Sequence, residues 1–156
     1  GADGLQHMLI DGEDITAEIR RPEVSAAASK VAAVPAVRTY LLEMQRRLAL
    51  ENNVIMDGRD IGTVVLPEAD CKIFLTASDH VRAQRRCREL ADRGTPVDYE
   101  TVLEDMRRRD EQDRTRAVAP LQQAEGAVLL DTSAMNFEQS AAALVQIIEE
   151  KLAHEA

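Results

Sequence analysis

Arg109, Asp113 and Arg116 stand at i, i+4 and i+7 of the run DMRRRDEQDRTRAVAP, residues 105–120, and share one face where that run is helical. Two guanidinium groups around one carboxylate can hold a phosphate with the first and a sugar hydroxyl with the second. The planar guanidinium fork matches phosphate oxygens and keeps its charge at any working pH. Plain i,i+4 salt bridging on an exposed helix explains the same spacing. A second cluster, MDGRDIG at 56–62, sets Asp57, Arg59 and Asp60 directly behind the apolar run NNVI. An arginine buried there has five donors to satisfy, more than an idle cluster provides. The C-terminal end of a parallel strand is also where open α/β sheets bind ligands. A third group, Arg82, Arg85 and Arg86, lies on one helical face with no acid among them. It reads either as a solvated surface, at a repulsion of roughly 0.2–0.5 kcal/mol per pair, or as a polyphosphate clamp.

These residues need elements to aim them. HMLI-DG-EDIT has the Asp-Gly pair of a two-residue β-hairpin. Pro22 opens an alanine-rich helix to about Ala33. Pro35 opens another, with Val37, Tyr40, Leu41, Met44 and Leu48 on a face expected to pack inward. Three short apolar runs, 53–56, 72–76 and 127–131, read as strands buried on both faces of a parallel sheet. A helix runs from about Ser78, and Arg93-Gly94-Thr95-Pro96 turns between two charged helices. The last helix starts near Asn136, with Gln139 completing a capping box, and carries its apolar stripe on Phe137, Ala141, Leu144, Val145, Ile148 and Leu152. Strands alternating with helices predict an α/β layered fold.

Composition narrows the function classes. The chain has 156 residues, 45% apolar and 30% charged, the profile of a single globular domain. Its net charge of −9 argues against tracking a nucleic-acid backbone. Two tyrosines, two phenylalanines and no tryptophan leave little to stack on bases. Apolar runs are too short to span a bilayer, and the first residues do not read as a secretory signal, so the expectation is a cytoplasmic protein without a membrane. Cys71 and Cys87 form neither a disulfide framework nor a metal-ligand spacing.

MDGRDIGTVVLPEADCKIFLTAS, the arginine helix after it and RRRDEQDRTRAVAPL together resemble the bacterial cytidylate kinases, nucleoside monophosphate kinases that move a phosphoryl group from ATP to CMP or dCMP. GEDITAEIRRPEVSAAASKVAAVPAVR resembles that family's monophosphate-binding insert. The likeness runs nearly the whole chain, and DGRDIGTVV with RDxxDRxRAVAPL is its specific part.

The resemblance implies a three-layer, parallel-sheet fold of the P-loop NTPase type. Residues 1–33 would be the rest of the insert, and 34–156 the core, with an arginine-rich lid at about 78–96. It implies that Ser29, Arg38 and Asp60 read the cytosine edge, and that Arg59 and Arg116 hold the acceptor phosphate. Arg109 and Asp113 would address CMP, Asp113 through a sugar hydroxyl. Asp57 would stand near the Mg2+ that arrives with ATP, Arg82, Arg85 and Arg86 would close over the donor phosphates, and Asp60 is the residue to test for catalysis beside Arg59 and Arg116. No Gly-Lys pair occurs in the 156 residues, whereas phosphoryl transfer in this class uses a G-x-x-x-x-G-K-[ST] loop. The expectation is therefore the C-terminal two-thirds of such an enzyme. Its fold would lack the first strand and phosphate loop, and the chain would be inactive alone. The alternative is a non-catalytic nucleotide-binding piece, or one that self-associates through an exposed sheet edge.

Overall fold

The structure is a computed structural model and describes residue 4 and residues 6–32 and 34–155. The chain divides into two compact units, Gly1–Val54 and Ile55–Ala156.

In the first unit the Asp-Gly turn forms. Strand β1 (Leu9–Ile10) pairs antiparallel with β2 (Glu13–Asp14), Ile10 opposite Glu13. Asp11 and Gly12 take φ of 50° and 88°, the left-handed pair whose twist matches that of the flanking strands. Past the turn, the Asp14 carboxylate accepts the Thr16 N–H at 2.9 Å and lies 2.6 Å from His7 Nδ1. Hydrogen bonding from Thr16 first, then from His7, holds the Asp14 carboxyl down at about 2.

Helices α1 (Pro22–Ala32) and α2 (Pro35–Glu51) follow, with Pro35 at the first position of α2, where a missing N–H costs nothing. The stripe on α2 does not pack inward as expected. Tyr40, Met44 and Leu48 are 67%, 42% and 51% exposed, and α2 has no buried residue. The 3.6-residue spacing makes a stripe but does not supply its cover. The helix packs on the alanine-rich α1, whose short side chains hide little of it.

The second unit is built on strands β3 (Ile73–Thr76) and β4 (Val128–Asp131), paired in parallel from Ile73 opposite Val128 to Thr76 opposite Asp131. Helices α3 (Asp79–Asp92) and α4 (Tyr99–Thr115) make the crossover, and α5 (Phe137–Glu155) follows β4. Two of the three expected strands exist. The run 53–56 forms no strand, and Ile55 is 94% exposed. A four-residue apolar run reads alike as strand or connector. Instead of the expected three-strand layer, the described residues hold a two-stranded parallel sheet.

Local chemistry sets the helix ends. The Ser78 side chain accepts the Val81 N–H, and Asp98 accepts that of Thr101, satisfying donors that a helix start leaves open. Helix α3 stops where Gly94 turns left-handed at φ 76°. Gly94 N–H reaches the Ala91 carbonyl and Thr95 N–H that of Leu90, both at 2.9 Å, which caps the exposed carbonyls. At α5 the Asn136 and Gln139 side chains exchange hydrogen bonds with each other's backbone N–H, at 2.8 and 3.0 Å, as the capping-box spacing predicts.

Between α3 and α4, Ala83, Val102 and Leu103 are buried, with Cys87, Leu90, Tyr99 and Met106 packed against them. Burying a side chain such as Leu103 stabilises by about 1.5–3 kcal/mol. Among the described residues no helix is long and apolar enough to cross a membrane.

Candidate functional site

The DGRD cluster leads into a wide helical turn, Ile61–Val65, of the π type. The N–H groups of Val64 and Val65 both reach the Asp60 carbonyl, at 2.9 and 3.2 Å. Such turns are rare and often sit at functional positions. This one turns the chain just after Arg59, whose Nη1 comes within 2.6 Å of Asp113 Oδ2 near the end of α4. The approach lies off the N–H axis, so it is an ion pair without an aligned hydrogen bond.

Burial makes the pair unequal. Asp113 is 7% exposed, while the Arg59 side chain is 38% exposed. A carboxylate in the last turn of a helix faces the negative end of the macrodipole, so Asp113 depends on Arg59 for its countercharge.

Three residues on, Arg116 caps α4, its N–H reaching the Gln112 carbonyl at 3.1 Å. Its Nε donates to the Ala119 carbonyl at 2.5 Å, and its Nη2 is buried without a partner among the described residues. A buried donor left unmade costs about 1–3 kcal/mol, more when charged. The RAVAPL segment folds back over the helix end, with Leu121 N–H on the Asp113 carbonyl at 2.8 Å. Asp113, Arg59 and Arg116 therefore gather at one end of α4.

The other sequence candidates lie elsewhere. Arg109 is exposed with no side-chain partner among the described residues, and Asp57 is likewise exposed and unpaired. Asp60 is half-buried at the start of the wide turn. In the first unit, Arg38 is half-buried in the opening turn of α2. Ser29 falls on α1, but its side chain is outside the described residues.

The three arginines of α3 are not left repelling one another. Arg82 makes a two-pronged contact with Asp110 of α4, at 2.5 and 3.2 Å, and donates Nε to the Ala77 carbonyl at 3.1 Å. Its guanidinium is held more basic than usual, chiefly by the Asp110 hydrogen bond. Arg85 spans to the loop after β4, donating to the carbonyls of Thr132 and Met135 at 2.7 and 3.0 Å. Among the described residues Arg86 pairs with Glu89 of its own helix, at 2.7 Å. A second tie, Arg107 to Asp79 at 2.6 Å, joins α4 to α3 and lowers the Asp79 carboxyl.

Sequence reading missed Asp110 and Ala119. Asp110 meets Arg82 only through the α3–α4 packing, which spacing does not reveal. The one sign at Ala119 is that it precedes Pro120, a position where the backbone is restricted.

The second unit is thus an α/β unit with an arginine–carboxylate cluster at the end of α4 and an arginine-rich α3. The family model for cytidylate kinase matches residues 3–150. The chain is 50% identical over 146 residues to the cytidylate kinase of Carboxydothermus hydrogenoformans, covering 94% of this chain and 66% of that protein. It is 48% identical to that of Klebsiella pneumoniae, covering 97% and 66%, and 54% identical to that of Xanthobacter autotrophicus, covering 86% and 65%. The chain belongs to the cytidylate kinase family. The matched stretch is just under two-thirds of the length of these three relatives.

One set of expectations is corrected here. The family match runs from residue 3 to residue 150, and two of the relatives align over 94% and 97% of this chain. On that finding, the reading of an incomplete fold short of its first strand and phosphate loop, with a missing segment as its partner, is withdrawn.

Proposed function

We propose that this protein is a cytidylate kinase of pyrimidine metabolism that transfers a phosphoryl group from ATP to CMP or dCMP, giving CDP or dCDP. The observation that carries the reading is the buried, unpartnered Nη2 of Arg116 in RDxxDRxRAVAPL, beside the Arg59–Asp113 pair. A phosphate oxygen would satisfy that donor and bring negative charge to the guanidinium group. In this reading Arg59 and Arg116 hold the acceptor phosphate. Asp113 keeps Arg59 in place and offers a sugar hydroxyl its remaining acceptor capacity, and exposed Arg109 turns onto the same nucleotide. On the second unit, Asp60 meets the cytosine ring. Residues 1–33 serve as the monophosphate-binding insert, and 34–156 as the core.

Catalysis is positioning and neutralisation, with little covalent work for side chains. Arg82, Arg85 and Arg86, on the lid at about 78–96, face the donor phosphates. Arg86 does so at least cost, because it exchanges only an exposed contact within its own helix. Among the described residues no group of three side chains forms a metal cage. That suits Mg2+, which is commonly held by one or two carboxylates plus substrate phosphates. Asp57 would stand near that Mg2+, outside its direct ligands, and the ion arriving with ATP would neutralise phosphate charge. ATP and CMP place the work in the cytoplasm.

The test is CMP titrated into the protein by calorimetry. Arg116→Ala is expected to weaken binding by about one to two decades, the roughly 1.5–3 kcal/mol of a charge-assisted contact. Unchanged affinity removes Arg116 from the site. A second reading is nucleotide binding without transfer. CDP formed from CMP and MgATP decides against it.

A further inference from the structure

We infer that Ala119 is a positioning residue for Arg116: its left-handed backbone turns the Ala119 carbonyl onto Arg116 Nε and so fixes which guanidinium nitrogens remain for an anion. The inference rests on Arg116 being the acceptor-phosphate contact. Among the described residues only Asp11 and Ala119 are non-glycine residues with positive φ, each at 50°. Asp11 sits in a hairpin turn, and aspartate tolerates that conformation. Alanine has no side-chain group to compensate for it, so surrounding contacts must hold Ala119 there.

Those contacts are present. Arg116 N–H is tied to Gln112, and Leu121 N–H returns to the Asp113 carbonyl. The chain therefore reverses between 116 and 121, with Pro120 contributing no donor of its own. The reversal presents the Ala119 carbonyl to Arg116 Nε. With Nε engaged the planar guanidinium cannot turn freely, and the buried Nη2 is the end left open. The loop thus stores an uncommon backbone conformation beside the donor that a phosphate would need.

The test uses this chain with Ala119→Val, Ala119→Asn, Arg116→Ala, Arg116→Lys and the Arg116→Lys/Ala119→Val double variant. A β-branched residue is an outlier at positive φ, whereas asparagine visits it readily. The Arg116 Nε proton, followed by NMR without ligand, is expected to exchange slowly in the parent and in Ala119→Asn, and fast in Ala119→Val. CMP affinity is expected to fall about tenfold or more in Ala119→Val, the size of one charge-assisted contact. In the Arg116→Lys background, which has no Nε, the same change is expected to cost less than about twofold, because its effect runs through the arginine.

A folded Ala119→Val chain that binds CMP like the parent, or equal losses in both backgrounds, overturns the inference. If the valine chain does not fold, Ala119→Asn decides, and fast Nε exchange there overturns it. Failure of the underlying reading looks different. Arg116→Ala then leaves CMP affinity unchanged while the Nε proton stays protected in the parent, and the inference falls with that reading.

Discussion

Breaking the Arg59–Asp113 pair from one side should cost more than breaking it from the other. The Asp113 side chain is 10% exposed, the Arg59 side chain 38%. Arg59→Met keeps most of the aliphatic stem but strands a carboxylate in the last turn of α4. Removing one partner of a fully buried pair costs about 3–5 kcal/mol. The exposure of Arg59 lets water screen the pair, so about 2–3 kcal/mol is expected. Asp113→Asn keeps the volume and frees a cation that already reaches solvent, for about 1 kcal/mol, the scale of an exposed pair. The double variant should resemble Asp113→Asn, because no charge is then stranded. Urea and thermal unfolding at neutral pH measure all three, with about 2–4 °C of midpoint per kcal/mol at this chain length. If Asp113→Asn proves the more damaging single change, or if the two losses simply add, the account of an acid dependent on its arginine is wrong.

Three further outcomes follow from the geometry. The Asp14 carboxyl is held at about 2 against an ordinary value of 3.8. Its contribution to the hairpin is present above the unfolded value and is lost as pH falls through the folded one, so carboxyl shifts and hairpin amides in an acid NMR titration should change together near pH 2. Asp110→Asn removes the charge that holds Arg82 across to α4. With both side chains partly exposed, unfolding experiments should show a loss of about 1 kcal/mol. Asn136→Ala deletes the start of the α5 cap and should cost about 0.5–2 kcal/mol, read as earlier melting and faster amide exchange at Gln139.

Local signals were the legible part of the fold. Asp11-Gly12, Ser78, Asp98, Gly94 and the Asn136/Gln139 box each carry their geometry within a few residues, and each does in the structure what its chemistry predicts. The failures need a partner to decide them. Residues 53–56 have strand-like composition but no strand beside them, and α2 has a stripe whose neighbour is too small to hide it.

The candidate site divides in the same way. The i, i+4, i+7 spacing set Arg109, Asp113 and Arg116 on one helix face, but it does not say that α4 ends at Thr115 or that Arg59 is the countercharge of Asp113. The like charges of Arg82, Arg85 and Arg86 suggested a single purpose, yet packing sends them to three different acceptors on α4, the loop after β4 and α3 itself. Arg109, on the same sequence pattern as Arg116, stays in solvent.

The two ties between α3 and α4 run in opposite senses, Asp79 to Arg107 and Arg82 to Asp110. If α3 slid by three residues in one direction, Arg82 would take the place of Asp79 opposite Arg107. A slide the other way would bring Asp79 against Asp110. Either misalignment sets like charge against like, so the two opposed ties favour the observed alignment of the helix pair over its neighbours.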